Sequence, residues 1–88
     1  MKTNPNCILR TEDNGIAILF NPETGHIHTL NPTSAFIWKA IQAGWTLNTI
    51  GEKLAKATGI SLSIILDDIR DFVKELQVNG YIVNDNSQ

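Results

Sequence analysis

The apolar positions divide the chain into two regimes. Over the first third they fall in short β-compatible blocks separated by turn signals; over the rest they recur at helical spacing. Residues 7–11 form a short, mixed block compatible with a strand. Asp13-Asn14-Gly15 follows, and Asn-Gly supplies the positive φ angles of a two-residue hairpin turn. Ile16, Ile18 and Phe20 alternate with Ala17 and Leu19, a strand with at least one buried face. Asn21-Pro22-Glu23-Thr24-Gly25 reads as a turn, with Pro fixing φ and Gly free to turn left-handed. His26 to Leu30 is a third short strand. The pattern predicts a three-stranded antiparallel meander.

Three helices follow. Asn31-Pro32 is a start signal, because Asn caps free N–H groups and Pro suits the first helical position. Ala35, Phe36, Trp38, Ala40 and Ile41 recur at mostly helical spacing until Gly44. Thr46 caps a second helix, with Trp45 placed to staple onto Ile50. Its stripe is Ile50, Leu54 and Ala57, and Gly59 ends it. Ser61 caps a third helix, with Ile60 placed to staple onto Ile65. Its stripe is Ile65, Ile69, Phe72, Val73 and Leu76, and Gly80 ends it. Tyr81-Ile82-Val83 returns as a short strand or a packed tail. The expected organisation is a flexible N-terminus over 1–6, one domain over 7–83 and a flexible tail over 84–88. Strands followed by three short helices give an α+β fold of winged helix-turn-helix type.

Size restricts what such a fold can do. A single domain of 88 residues buries only about 60–65% of its unfolded surface, so shallow grooves and edges are its expected working surfaces. Apolar residues make up 42% and charged residues 18%, which fits a folded globule. Net charge is −2, and the seven Lys and Arg residues form no cluster, which argues against nucleic acid. The single Cys7 has no internal disulfide partner, pointing to a reducing compartment. There is no apolar run of about 20 residues and no secretory h-region in MKTNPNC. A cytoplasmic protein without membrane contact is expected.

Candidate chemistry is sparse. His26 and His28 lie two apart and share a strand face, but a closed zinc site needs four ligands and only Cys7 is left to add. Strand-face or groove-lining histidines are the better reading. Asp67, Asp68, Asp71 and Glu75 make the third helix acidic; Arg70 and Lys74 sit as i,i+3 partners of Asp67 and Asp71. The ordinary reading is a solvated face; the functional one is a charged rim that selects a basic ligand, with Asp68 foremost. Leu62, Ile64 and Leu66 lie beyond the apolar stripe and either cover the core or line a groove. Trp38 and Trp45 read as core and staple. No catalytic constellation is present, so a non-enzyme without cofactor is expected.

The stretch G-H-I-H-T-L-N-P-T-S-A-F-I-W-K-A-I-Q-A-G-W-T-L-N-T-I, followed by I-L-D-D-I-R-D-F-V-K-E-L-Q-V-N-G-Y-I-V, resembles the PqqD family, also called RiPP recognition elements. The resemblance spans residues 7–83. It rests on Leu30-Asn31-Pro32, Ala35, Ile37-Trp38, Gly44 with Thr46, Asp68-Ile69, Phe72, Leu76 and Gly80 in this order. It implies a domain that binds the leader segment of a ribosomally made precursor peptide as an added antiparallel strand. The implied contacts are the backbone of Gly25, His26, Ile27, His28, Thr29 and Leu30, with side chains of Ile64, Ile65, Asp68, Ile69 and Phe72. The implied partner is a modifying enzyme: a radical SAM enzyme, a leader protease or a cyclase. The family serves pyrroloquinoline quinone and lasso-peptide pathways, and the N-P-T-S-A helix start leans toward the lasso type. Two rivals are a winged-helix DNA binder, which the acidic third helix disfavours, and a homodimer paired through strand edges.

Overall fold

Burial along residues 17–21 decides which side of the meander faces inward. The computed structural model describes residues 1–83. In chain order the elements are β1 (Lys2–Thr3), β2 (Ile8–Thr11), β3 (Ala17–Asn21), β4 (His26–Leu30), α1 (Pro32–Gln42), α2 (Leu47–Thr58), α3 (Leu62–Val78) and β5 (Ile82–Val83). The main sheet is antiparallel in the order β2-β3-β4. Ala17, Leu19 and Asn21 are buried on its inner face, while Ile18 and Phe20 are half-buried on the outer one. Register places Leu30, His28 and His26 opposite Ala17, Leu19 and Asn21, so those three β4 side chains share the inner face. The core also takes Trp38 from α1, Ile50 from α2, and Ile69 and Leu76 from α3.

The first turn departs from expectation. No non-glycine residue among those described has positive φ, so Asn14 does not take the mirror-image turn. Instead Gly15 donates to the Glu12 carbonyl at 3.1 Å and Glu12 donates to Ile16 at 2.7 Å. Gly15 alone turns left-handed, at φ 84°. This is the three-residue loop with a glycine bulge, which adds twist where the two-residue turn would not.

Helix starts follow the sequence signals. Asn31 Oδ1 accepts from the Ser34 N–H at 2.8 Å, and Thr46 Oγ1 accepts from Thr49 at 3.1 Å. Ser61 occupies its cap position without a side-chain bond. Trp45, placed by the sequence as a staple, also has a surface partner. It is half-exposed and meets Phe36 edge-on, with ring centroids 5.9 Å apart. In α2 the inward residues are Ile50 and Gly51, with Leu54 and Ala55 partly covered; Ala57 is exposed. Gly51 allows α2 and α3 to approach closely. A Cβ there would lie 2.7 Å from Leu66 Cδ2 and 3.2 Å from Leu62 Cδ1. Leu62 and Leu66 therefore belong to the helix seam, not to a groove.

Residues 1–6 were expected to be flexible, yet Lys2–Thr3 form β1 and pair antiparallel with β5. The Asn4 N–H donates to the Tyr81 carbonyl at 2.8 Å, and the Asn4 amide donates to the Gly80 carbonyl at 3.0 Å. These partners lie more than 70 positions away in sequence, so no local pattern announces them. The tail expected over 84–88 lies outside the described residues.

Gly51→Ala is expected to be net destabilising. Helix propensity favours Ala by about 1 kcal/mol, but overpacking a filled seam costs about 1–3 kcal/mol. Urea unfolding of the single variant, and of Gly51→Ala with Leu66→Ala, checks this: the pair should lose less than the sum of its members, because both act at one contact.

Candidate functional site

Among the described residues β4 pairs with β3 on one side only. Which backbone groups face the open side follows from the ladder. The Ile16 carbonyl accepts from Glu12, so Ile16, Ile18 and Phe20 direct their N–H and C=O toward β2. By alternation Ala17, Leu19 and Asn21 direct theirs toward β4. Their partners Leu30, His28 and His26 are thereby engaged, and Ile27 and Thr29 present their N–H and C=O to the open edge. The two residues are about 6.6 Å apart along the strand. Gly25 is not part of this edge: it closes the turn at φ 77° and donates to Asn21 at 2.7 Å. Leu30 is 1% exposed and belongs to the core.

The side chains of β4 divide between two environments. Ile27 stands 61% exposed on the outer face, in a shallow apolar depression with Ile8, Arg10, Ile18 and Phe20. His26, which is exposed, and His28, which is half-buried, both meet Tyr81. The His26 Nδ1 is 2.7 Å from the Tyr81 hydroxyl, and the His28 ring meets Tyr81 edge-on with centroids 5.9 Å apart. His28 Nε2 lies 3.9 Å from a Glu75 carboxylate oxygen, which brings the later turns of α3 alongside the middle of β4. Burial, with the nearby Cys7 adding a smaller effect, raises the Tyr81 pKa. The phenol therefore remains a proton donor throughout the neutral range. The Cys7 thiol is raised too, first by burial and then by Glu23, which leaves it a poor nucleophile.

Where β4 runs into α1, the surface opens into a cavity of about 320 Å³. Asn31, Thr33, Ser34 and Ile37 line it from the start of α1, and Leu54, Thr58 and Ile60 from the end of α2. Ile65, Asp68, Ile69 and Phe72 complete it from α3. Four residues picked from sequence thus converge. Ile64 does not join them; it is 56% exposed and absent from the lining. Asp68 is the one charged group in this lining, set among apolar walls. Ile37, Leu54 and Ile60 were missed. Ile37 and Leu54 look like any core position in a linear pattern, and Ile60 reads as a staple. Their convergence is a product of how the helices cross.

The acidic helix keeps its expected local pairing, with Arg70 at 3.7 Å from Asp67; both are exposed, so the pair stabilises little. Among the described residues no group of three or more His, Cys, Asp or Glu is placed to hold a metal. No helix among them is long and apolar enough to cross a membrane.

A three-stranded meander with an open edge, backed by three helices, defines an α+β domain of winged helix-turn-helix type. It is similar in fold to TbiB1 in complex with the TbiA(beta) leader peptide, with TM-score 0.82 and 21% identity over 94% of this chain and 100% of that one. It is also similar to a lasso peptide synthetase B1 complexed with the leader peptide, with TM-score 0.86 and 22% identity over 94% and 96% of the two chains. The family model of coenzyme PQQ synthesis protein D (PqqD) matches residues 17–82, and the chain belongs to the PqqD family. No curated protein sequence matches it.

The raised Tyr81 pKa makes an alkaline prediction. The folded state holds the phenol proton more tightly than the unfolded chain, whose tyrosine titrates near 10. Above that pH the unfolded state loses its proton first, so stability falls as pH rises toward the folded value. Melting curves from pH 8 to 11 should show this slope in the wild type and a shallower one in Tyr81→Phe.

Proposed function

We propose that this protein is a non-catalytic adaptor that captures the leader segment of a ribosomally made precursor peptide by strand addition and presents it to a modifying enzyme. The carrying observation is the juxtaposition of an open β4 edge with the apolar cavity at its C-terminal end. The leader would pair with Ile27 and Thr29 and place an apolar side chain among Ile65, Ile69 and Phe72. Family membership and two neighbours of the same fold, both complexed with leader peptides, support the reading. The neighbour that is a lasso peptide synthetase B1 favours a lasso-type pathway, in which the recipient is a leader protease or cyclase rather than a radical SAM enzyme. A cytoplasmic location fits such a partnership.

The energetics require both halves of the site. Each edge hydrogen bond contributes about 0.5–1.5 kcal/mol net, while ordering each peptide residue costs about 1–2 kcal/mol. Pairing alone therefore roughly cancels. Burying a Leu-sized anchor contributes about 1.5–3 kcal/mol, so three anchors near the upper end of that range are needed to approach the roughly −8 kcal/mol of a micromolar complex. Asp68 at the cavity favours a leader with a basic or hydroxyl-bearing residue beside its apolar anchor. DNA is disfavoured, because α3 carries Asp67, Asp68, Asp71 and Glu75 against Arg70 and Lys74. Self-pairing through β4 would compete for the same edge.

The test is a titration with the leader segment of a short peptide gene encoded beside this one, followed by calorimetry and amide NMR. Saturable binding with shifts at Ile27, Thr29, Asp68 and Phe72 is expected. Absence of saturation at high micromolar concentration for every neighbouring leader would overturn the proposal. Phe72→Ala should weaken binding by about 1.5–3 kcal/mol, the worth of one apolar contact of this size. Thr29→Pro offers a sharper check: it removes an N–H that faces the open edge and leaves the β3 ladder paired. Leader binding should be lost in that variant while circular dichroism keeps its wild-type form.

A further inference from the structure

We infer that Tyr81, which contributes nothing to the cavity lining, is a positioning residue that holds the β4 edge in the geometry a peptide strand needs. The inference rests on the leader-capture reading and adds to it a residue outside the groove.

The two ends of β4 are secured differently. At the C-terminal end Leu30 leads directly into the Asn31 cap of α1. At the N-terminal end His26 follows an exposed turn held by local bonds, with the His26 N–H donating to Thr24 Oγ1 and the Gly25 N–H to the Asn21 carbonyl. Ile27, one of the two residues whose backbone faces the open edge, is next to that end. Tyr81 reaches it from the opposite side of the core. Its hydroxyl lies 2.9 Å from the His26 carbonyl, 3.3 Å from the Leu19 carbonyl and 2.7 Å from His26 Nδ1. One atom thus touches both β3 and β4, one residue from Ile27.

Proton counting fixes how these contacts are shared. The hydroxyl has one proton to give and lone pairs to accept with. The two shortest contacts are satisfied together when Nδ1–H of His26 donates to the Tyr81 oxygen and the Tyr81 proton goes to the His26 carbonyl. The opposite assignment, with the hydroxyl donating to Nδ1, leaves the His26 carbonyl without it. Neutral His26 is thereby assigned as the Nδ1–H tautomer, with ring and backbone of one residue clamped by one phenol.

Tyr81 is itself fixed to the other wall of the groove. Its N–H donates to the Leu76 carbonyl at the end of α3 at 2.9 Å, and its carbonyl accepts from Asn4 at 2.8 Å. The phenol therefore ties the start of β4 to the helix that carries Ile65, Asp68 and Phe72. An added strand must lie about 4.8 Å from β4 and still reach that helix, so the tie sets a spacing on which binding depends. A buried ring alone would serve the core as well as a phenylalanine does; the hydroxyl is what makes the tie.

Tyr81→Phe in the full chain separates the two roles, because it keeps the ring and removes the oxygen. The probe is the neighbouring-gene leader that binds the wild type, with imidazole 15N NMR on the free protein as a second readout. His26 should be in the Nδ1–H form in the wild type and move toward the Nε2–H form in the variant. The dissociation constant should rise about three- to tenfold, the worth of one hydrogen bond. His26→Gln removes the imidazole donor and spares the phenol–carbonyl bond, so its loss should be smaller than that of Tyr81→Phe. A Tyr81→Phe affinity within twofold of wild type overturns the inference, whatever its melting temperature. So does a weakened affinity with an unchanged His26 tautomer, or a larger loss in His26→Gln than in Tyr81→Phe. A wild type that binds no leader overturns the functional reading as well, and the two failures are told apart before any variant is made.

Discussion

An 88-residue chain has little apolar surface to share between a core and a binding site, and α3 meets both demands at once. One face packs Leu66 over Gly51 of α2 and buries Ile69, Val73 and Leu76 in the core. The flank beside it turns Ile65, Asp68 and Phe72 into the cavity at the end of β4. The close approach at Gly51 matters beyond stability. It fixes where α3 lies, and so how wide the space beside the β4 edge becomes. The chain then leaves α3 through Gly80 and uses Tyr81 to reach back to the sheet.

The polar interactions follow the same economy. Buried Asn21 takes the Glu23 N–H on its Oδ1 and gives its amide to the Asn79 carbonyl, so the second turn of the meander is tied to the end of α3. Asn4 and Asn6 both donate to the Glu23 carboxylate, adding the N-terminal arm to that junction. For buried Asn21 its bonds satisfy an amide that would otherwise be buried unpaired, while the bonds to the Glu23 carboxylate are exposed. The network gathers both described ends of the chain and the β3–β4 turn at one end of the molecule, leaving the other end of β4 to open into the cavity. The cavity at that end sets a single carboxylate, Asp68, among apolar and hydroxyl-bearing side chains.

Local signals in the sequence were read correctly where the physics is local. The Asn31-Pro32 start, the Thr46 cap and the Gly59 stop follow from capping and from left-handed φ at glycine, all decided within a few residues. Local signals fail where the neighbour in space is remote in sequence. Ala57 fits a helical stripe as well as Ala55 does, and only the crossing with α3 selects Gly51 and turns Ala57 to solvent. Residues 1–6 are polar and read as a loose end, because their partner strand lies at Ile82–Val83.

By itself, then, the sequence determined the order and type of the elements, the caps that bound them, and a family pattern that pointed to an edge strand and a third helix. It did so because hydrophobic period and capping chemistry act over spans of a few residues. Tertiary structure decided the rest. Ladder alternation chose Ile27 and Thr29 over their neighbours as the open backbone groups. Helix crossing drew Ile37, Leu54 and Ile60 to the cavity and left Ile64 in solvent. The return of the chain after α3 set the Tyr81 hydroxyl against His26. Each of these depends on contacts between segments far apart in the chain, whose distances a linear pattern does not encode.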